Sequence, residues 1–208
     1  MRKAIYGGSF DPFHEGHKQV IRNVLSQNLV DKIIVIPCKQ NPLKTHKPNF
    51  QSPIERLHFI GEEIKEFGDK CKISEIELFR LSNESSYTSV TLKNLMYNDF
   101  KKDINNVNEY FIIIGVDEWN VFKKWKNYEW ILNYSKVIVH PRPGIEPNWY
   151  HEKMIYLKDV ESIDISSSEI RLNDFIDRLK SLNIGKDLRK IKFERNINEL
   201  IDKLKGEA

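Results

Sequence analysis

Cysteine, long apolar runs and net charge are all scarce in this chain of 208 residues. The two cysteines, Cys38 and Cys71, form no CxxC pair and no disulfide framework. A reduced, cytoplasmic setting is therefore expected. No apolar run approaches the roughly 20 residues of a membrane span, and the start, Met1-Arg2-Lys3-Ala4-Ile5-Tyr6, has no apolar signal-peptide core. A soluble protein without membrane association is expected. The 33 basic and 30 acidic residues leave a net charge of +3, far from the polybasic composition of a nucleic-acid binder, so no nucleic-acid partner is expected. There is no internal repeat or low-complexity tract.

What is present is an alternation of short apolar runs with longer amphipathic segments. Strands are expected at 4–6, 32–36, 72–78, 110–114, 136–140 and, more weakly, 154–157. Helices are expected at 15–27, 53–67 and 88–100, with one or two tryptophan-rich helices over 117–132. Pro53 suits a first helical turn, and Gly68 follows the end of its helix. The repeating β-α order predicts an α/β fold, a doubly wound parallel sheet with helices on both faces. Ligands then bind beyond the carboxyl ends of the strands. Two long irregular segments, 37–52 and 141–152, are candidates for functional loops. Residues 172–208 read as two polar amphipathic helices, a small C-terminal extension to a domain spanning 1–171.

The densest chemistry lies at a strand-to-helix junction, Gly7-Gly8-Ser9-Phe10-Asp11-Pro12-Phe13-His14-Glu15-Gly16-His17. The glycines let backbone approach a phosphate closely, and the helix that follows presents unpaired N–H groups and a positive dipole end. His14 and His17, three apart, share one helical face. They can donate hydrogen bonds to phosphoryl oxygens as charge builds there. They lack the i, i+4 spacing of a zinc metalloprotease pair, and no further His or Cys clusters with them, so no protein-bound metal is expected. A second motif, Ile165-Ser166-Ser167-Ser168-Glu169-Ile170-Arg171, fits a capping box opening another helix. Its Arg171 is suited to phosphate in fork geometry. Each motif also has a plainer reading, as a tight turn or a well-capped helix. Trp119, Phe122, Trp125 and Trp130 are spaced as core aromatics would be, Thr88 as a helix N-cap, and Lys44 as a solvated loop charge.

The first motif resembles the GGTFDPxHxGH signature of the HxGH nucleotidyltransferases, with Ser9 where threonine is commoner. The second is similar to that superfamily's ISSTxIR signature. Between them, Gly115-Val116-Asp117 followed by Trp125, Tyr87-Thr88 followed by Thr91-Leu92, Asn41-Pro42-Leu43-Lys44 and Arg142-Pro143-Gly144 resemble elements of the nicotinate-nucleotide adenylyltransferases. In the third of these, leucine stands where the family has histidine. The resemblance runs from residue 2 to about 171; residues 172–208 depart from the family's usual ending.

The resemblance implies a Rossmann-like nucleotidyltransferase fold and adenylyl transfer from ATP to nicotinate mononucleotide. The products are deamido-NAD and pyrophosphate, a step of NAD biosynthesis. It implies catalytic roles for His14, His17 and Arg171. The ATP site it implies comprises Gly7, Gly8, Ser9, Phe10, His14, His17, Ile165, Ser167, Ser168 and Arg171. Lys44, Tyr87, Thr88, Asp117, Trp125 and Arg142 would hold the mononucleotide, with Trp125 stacking on the pyridine ring. Mg²⁺ is implied mainly through the ATP phosphates. Nicotinamide mononucleotide as the preferred acceptor, a non-catalytic nucleotide-binding regulator of the same fold, and a homo-oligomer all stay open.

Overall fold

The computed structural model describes residues 1–39, 51–79, 86–105, 107–163, 165, 167–171 and 173. The chain divides into two compact units, Met1–Ile165 and Ser166–Ala208. The first holds one parallel sheet of six strands: β1 (Arg2–Gly8), β2 (Lys32–Pro37), β3 (Cys71–Ile73), β4 (Glu109–Gly115), β5 (Lys136–His140) and β6 (Met154–Tyr156). Their order across the sheet is β3-β2-β1-β4-β5-β6. The chain thus winds outward in one direction from β1, then returns to β4 on the other side of β1. That reversal opens a crevice beyond the ends of β1 and β4, where ligands bind in open α/β sheets.

Helices cover both faces. They are α1 (Glu15–Ser26), α2 (Pro53–Glu63), α3 (Thr88–Lys102), α4 (Val116–Asn120) and α5 (Tyr128–Tyr134), with 3₁₀ turns at Ile64–Lys70 and Phe122–Lys124. Successive strand residues point to opposite faces, so the near-continuous apolar runs of β1, β2 and β4 feed two cores at once. Ala4, Tyr6, Ile33, Val35, Phe111 and Ile113 pack with Ile21 and Val24 of α1 and Ile60 of α2. Ile5, Ile34, Ile36, Ile112 and Ile114 pack on the other face with Leu92 of α3, Trp119 and Ile131. Each such side chain, once fully buried, contributes about 1.5–3 kcal/mol.

Two expected elements are shorter than their sequence patterns suggest. The helix expected over 53–67 stops at Glu63 and tightens into a 3₁₀ segment, inside which Gly68 takes φ 53°. The strand expected over 72–78 ends at Ile73, and residues 76–79 form a turn. The last ladder bond runs from the Ser74 N–H to the Val35 carbonyl at 2.9 Å. The next donor along β2 would be residue 37, which is proline and has no N–H. The helices expected beyond 171 fall, Asn173 apart, outside the described residues.

Candidate active site

β1 ends in Gly7 and Gly8 at the crevice, and these glycines have different surroundings. A methyl group on Gly8 would lie 2.9 Å from the Phe10 ring, whereas one on Gly7 would meet nothing within 4 Å. Packing therefore excludes a side chain from Gly8 only; the space beside Gly7 is open to a ligand. Phe10 turns the chain with φ 48°, and its ring is buried against Tyr6 and Phe13. Its ring thus belongs to the core, and only its backbone borders the crevice. Ser9 has its hydroxyl 3.7 Å from the Cys38 sulfur.

The turn delivers His14 to the N-cap of α1. The His14 backbone N–H donates to Nδ1 of His17 at 3.1 Å, so one unpaired donor of the helix start is used to fix the second imidazole. A ring nitrogen that accepts carries no proton; neutral His17 therefore holds its proton on Nε2 and offers it as a donor. The His17 ring is stacked on Phe13 at 5.1 Å and meets the edge of Phe10 at 5.0 Å. His14 lies over it with ring centroids 3.8 Å apart. Gly16 belongs to this packing, since a methyl group there would lie 3.1 Å from the His14 ring and 3.7 Å from the Ile165 carbonyl oxygen.

Burial, followed by the charge of Arg142, lowers His14 to about 4. Burial, then His14, then Arg142 hold His17 well below its ordinary value. Both rings are consequently neutral at pH 7. Buried His14 Nδ1 has no hydrogen-bond partner. Glu15, in the first turn of α1, faces its own basic neighbours: Lys18 at 3.1 Å, and Arg22. Its carboxylate is thereby neutralised locally rather than opposing an anion at the helix start.

Across the crevice, β4 ends at Gly115 and α4 begins. A methyl group on Gly115 would lie 2.3 Å from an Asp117 carboxylate oxygen, so glycine is required for the carboxylate to fold back over the strand end. The same oxygen, Oδ1, is 3.0 Å from Nε of Arg142. The contact is an ion pair rather than an aligned hydrogen bond, because Oδ1 accepts none. Arg142 enters a tight turn closed by Gly144 at φ 74° and by the Ile145 N–H donating to the Arg142 carbonyl at 3.2 Å. The loop carrying it is pinned to α4. Trp119 and Trp149 stack at 4.1 Å, and each indole N–H donates to the other's carbonyl at 3.0 Å. Asn120 adds bonds to the Glu146 carbonyl and the Asn148 N–H. The Trp119–Trp149 latch is not evident from the sequence, where Trp149 lies in an irregular segment.

Trp125 follows the second 3₁₀ turn, half-buried, 5.0 Å from the Phe122 ring, and its buried indole N–H has no hydrogen-bond partner. Tyr87 caps α3, its carbonyl accepting from the Val90 and Thr91 N–H groups. Lys126 stands 4.4 Å over the Tyr87 ring, so the start of α3 at Tyr87-Thr88 meets the segment after Trp125. Of the expected site residues, the first unit therefore brings His14, His17, Asp117 and Arg142 to one crevice, with Gly7 and Ile165 at its edge. Tyr87 lies beside Lys126, the residue that follows Trp125. In the second unit residues 167–171 are helical, and Arg171 Nη2 donates to Ser168 Oγ at 3.0 Å. Lys44, with the whole 41–44 segment, lies outside the described residues.

Two buried polar groups beneath this crevice have no place among the expected site residues. Asn23 of α1 donates at 2.8 Å to Nε2 of His140, whose Nδ1–H donates to the Pro141 carbonyl at 2.9 Å. This ties α1 to the root of the Arg142 loop. Arg56 of α2 is 1% exposed and donates through Nη1 to the carbonyls of Ser9 and Cys38, both at 2.8 Å. The sequence carried one sign of it: Arg56, Ile60 and Ile64 recur at a spacing of four, which puts an arginine on the apolar stripe.

Among the described residues, no three His, Cys, Asp or Glu side chains gather so as to hold a metal ion, and no helix is long and apolar enough to cross a membrane.

Strand order, glycine turn and paired imidazoles together define a nucleotide-binding α/β protein of the nucleotidyltransferase kind. Residues 5–173 match the cytidylyltransferase-like family. A Fusobacterium nucleatum protein named "Probable nicotinate-nucleotide adenylyltransferase" is 36% identical over 176 residues, 82% of this chain and 86% of that one. One of the same name from Azobacteroides pseudotrichonymphae is 33% identical over 205 residues, 98% of each chain. The fold is shared with a solved structure, Plasmodium falciparum nicotinic acid mononucleotide adenylyltransferase complexed with NaAD. That structure has a TM-score of 0.59 and 21% identity, over 92% of this chain and 88% of that one. The chain belongs to the cytidylyltransferase-like family and, within it, to the nicotinate-nucleotide adenylyltransferases.

Proposed function

We infer that the chain transfers the adenylyl group of ATP to nicotinate mononucleotide, giving deamido-NAD and pyrophosphate. The observation that carries the reading is the imidazole pair at the start of α1. Both rings are neutral, and the His17 proton is fixed on Nε2 by the bond its Nδ1 accepts from His14. A preoriented donor meets developing negative charge without reorganising as the reaction proceeds. Names of relatives supply the acceptor: the curated relatives are named "Probable nicotinate-nucleotide adenylyltransferase", and the Plasmodium protein was solved with NaAD and with APC.

In this reading a phosphate oxygen of the mononucleotide attacks the α-phosphorus of ATP. The bond to the bridging oxygen breaks, and its electron pair leaves with pyrophosphate. Catalysis is positioning and charge stabilisation. His14 and His17 contact the ATP phosphates, and His17 follows the charge into the transition state. Gly7, Gly8, Ser9, Phe10 and Ile165 border the nucleotide. Ser167, Ser168 and Arg171 hold phosphates or the adenine side. Asp117 reads a ribose, Arg142 and Lys44 supply positive charge toward the mononucleotide, and Trp125 stacks on its pyridine ring. The start of α3 at Tyr87 and Thr88 reads the ring's carboxylate. Mg²⁺ suits the ATP phosphates rather than a protein cage, and when bound it offsets phosphate charge. A cytoplasmic location fits soluble small-molecule substrates.

The test is to incubate the protein with ATP, Mg²⁺ and nicotinate mononucleotide and to follow pyrophosphate and dinucleotide. Stoichiometric formation of both supports the reading. No turnover of nicotinate mononucleotide by the folded protein would refute it.

A further inference from the structure

Among the described residues, Arg56 combines a formal charge with nearly complete burial, and the reaction as read above does not use it. It lies on α2, whose stripe-mates Ile60 and Ile64 are core residues. Its neighbours are not apolar alone. Nη1 bridges two carbonyl oxygens 2.8 Å away, one on Ser9 and one on Cys38. Ser9 follows β1, in the turn that leads to His14. Cys38 follows β2, and its own N–H donates to the Gly8 carbonyl at 2.8 Å. Asp11 is close enough to act on the guanidinium charge and is itself buried, with an Oδ1 accepting from the Gln51 N–H at 2.8 Å. The Arg56 Nε finds no hydrogen-bond partner.

Burying a cation is costly unless its surroundings are arranged to receive it. A leucine or methionine at this stripe position would fill the same space without that cost. The receiving groups here are carbonyls of the phosphate-binding turn and of the adjacent strand end. By accepting from Arg56, those carbonyls are pointed down into the protein. The N–H on the other side of the Cys38 peptide, that of Lys39, donates to Ser86 Oγ at 3.1 Å, so this strand end is held from both sides. A positive charge is also set beneath a turn that receives anions.

We propose that Arg56 is a positioning residue for the reaction, holding the Ser9 turn and the Cys38 strand end in the register that presents the His14–His17 pair to the nucleotide phosphates. The inference rests on the adenylyl-transfer reading. Arg56 touches no substrate and acts through the backbone of residues 8–11 and 38.

The experiment compares wild type, Arg56→Lys and Arg56→Met. Lysine keeps the charge, but its ammonium ends one bond short of the Nη1 position and lacks the rigid planar head that fixes the direction of both bonds; methionine keeps much of the bulk and loses the charge and both donors. Thermal unfolding is measured first, then kcat and KM for ATP and nicotinate mononucleotide. The expected result is a folded Arg56→Lys protein with KM for ATP within about threefold of wild type and kcat reduced about a hundredfold, the loss typical of a small misplacement at a reacting centre. Arg56→Met is expected to lose more, with KM for ATP also raised. A folded Arg56→Lys protein with wild-type kcat overturns the proposal.

Tripolyphosphate binding by calorimetry needs no acceptor and no turnover. Weakened binding to Arg56→Met supports positioning of the phosphate turn even if wild type proves inactive with nicotinate mononucleotide, a result that would sink only the reaction assigned above. If neither variant folds, wild type labelled with nitrogen-15 at arginine supplies the readout. The Arg56 guanidinium signal is expected to be protected from exchange and to shift when tripolyphosphate is added. An unchanged signal at saturation contradicts the proposal.

Discussion

The backbone N–H of His14 donates to Nδ1 of His17 across 3.1 Å, while the two rings lie 3.8 Å apart between centroids. One hydrogen bond thus serves two ends. It satisfies a donor at the start of α1, and it decides which nitrogen of His17 faces a ligand with a proton. Two imidazoles this close cannot readily both be charged, which agrees with the downward shift of each.

His17→Ala removes the fixed donor. Loss of one such donor costs about 10²–10³ in kcat, and that is the expected fall in turnover. Thermal unfolding should show the variant still folded, because the sheet core around Ile5, Ile112 and Ile113 is untouched. Near-normal turnover would remove His17 from the chemistry.

The same pair makes stability depend on pH. His14 titrates at about 4 in the folded chain, and His17 well below its ordinary value; unfolded histidine titrates near 6.5. Between those values the unfolded chain binds more protons, so stability rises with pH there. The contribution is fully present above about 6.5 and is lost as pH falls toward about 4. Buried His140, also shifted down, adds to the same trend. The unfolding temperature of wild type should drop across this window more steeply than that of His14→Asn. Equal slopes would show that His14 stays as easily protonated folded as unfolded.

Gly7 and Gly8 should separate binding from stability. Gly8→Ala drives a methyl group to 2.9 Å from the Phe10 ring, whereas Gly7→Ala meets no protein atom within 4 Å. The first variant is expected to unfold several degrees lower. The second should melt as wild type does but show a KM for ATP raised about tenfold or more, its methyl group occupying the space through which phosphate approaches backbone. Unchanged ATP binding in Gly7→Ala would mean that no ligand uses that space.

For Trp125→Ala, the aromatic–base stacking range of about 1–3 kcal/mol translates into a KM for the mononucleotide raised roughly five- to 150-fold, with KM for ATP little changed. Isothermal titration with nicotinate mononucleotide checks it directly. Unaltered affinity would return Trp125 to the core beside Phe122.

The sequence made the winding of the sheet legible because β2, β4 and β5 carry continuous runs of isoleucine and valine, as strands buried on both faces do. The glycine turn and the His14-Gly16-His17 spacing were equally legible, since their chemistry is local. Less legible was whatever depends on partners distant along the chain. Arg56 reads as one more helix charge until Cys38 and Ser9 are brought over it. The early end of β3 depends on proline 37 of another strand. The Trp119–Trp149 latch joins residues 30 apart. Phe10 looked like a pocket residue by its place in the motif, yet its ring is drawn into the core because the left-handed backbone turns it beneath Gly8.

Side-by-side initial rates with ATP, Mg²⁺ and either nicotinate or nicotinamide mononucleotide decide whether this chain transfers an adenylyl group and to which acceptor. Adenylyl transfer to the nicotinate form, with pyrophosphate and deamido-NAD appearing in equal amounts and the amide form clearly slower, is the predicted result. Dinucleotide formation from neither acceptor, by folded wild-type protein, would contradict it.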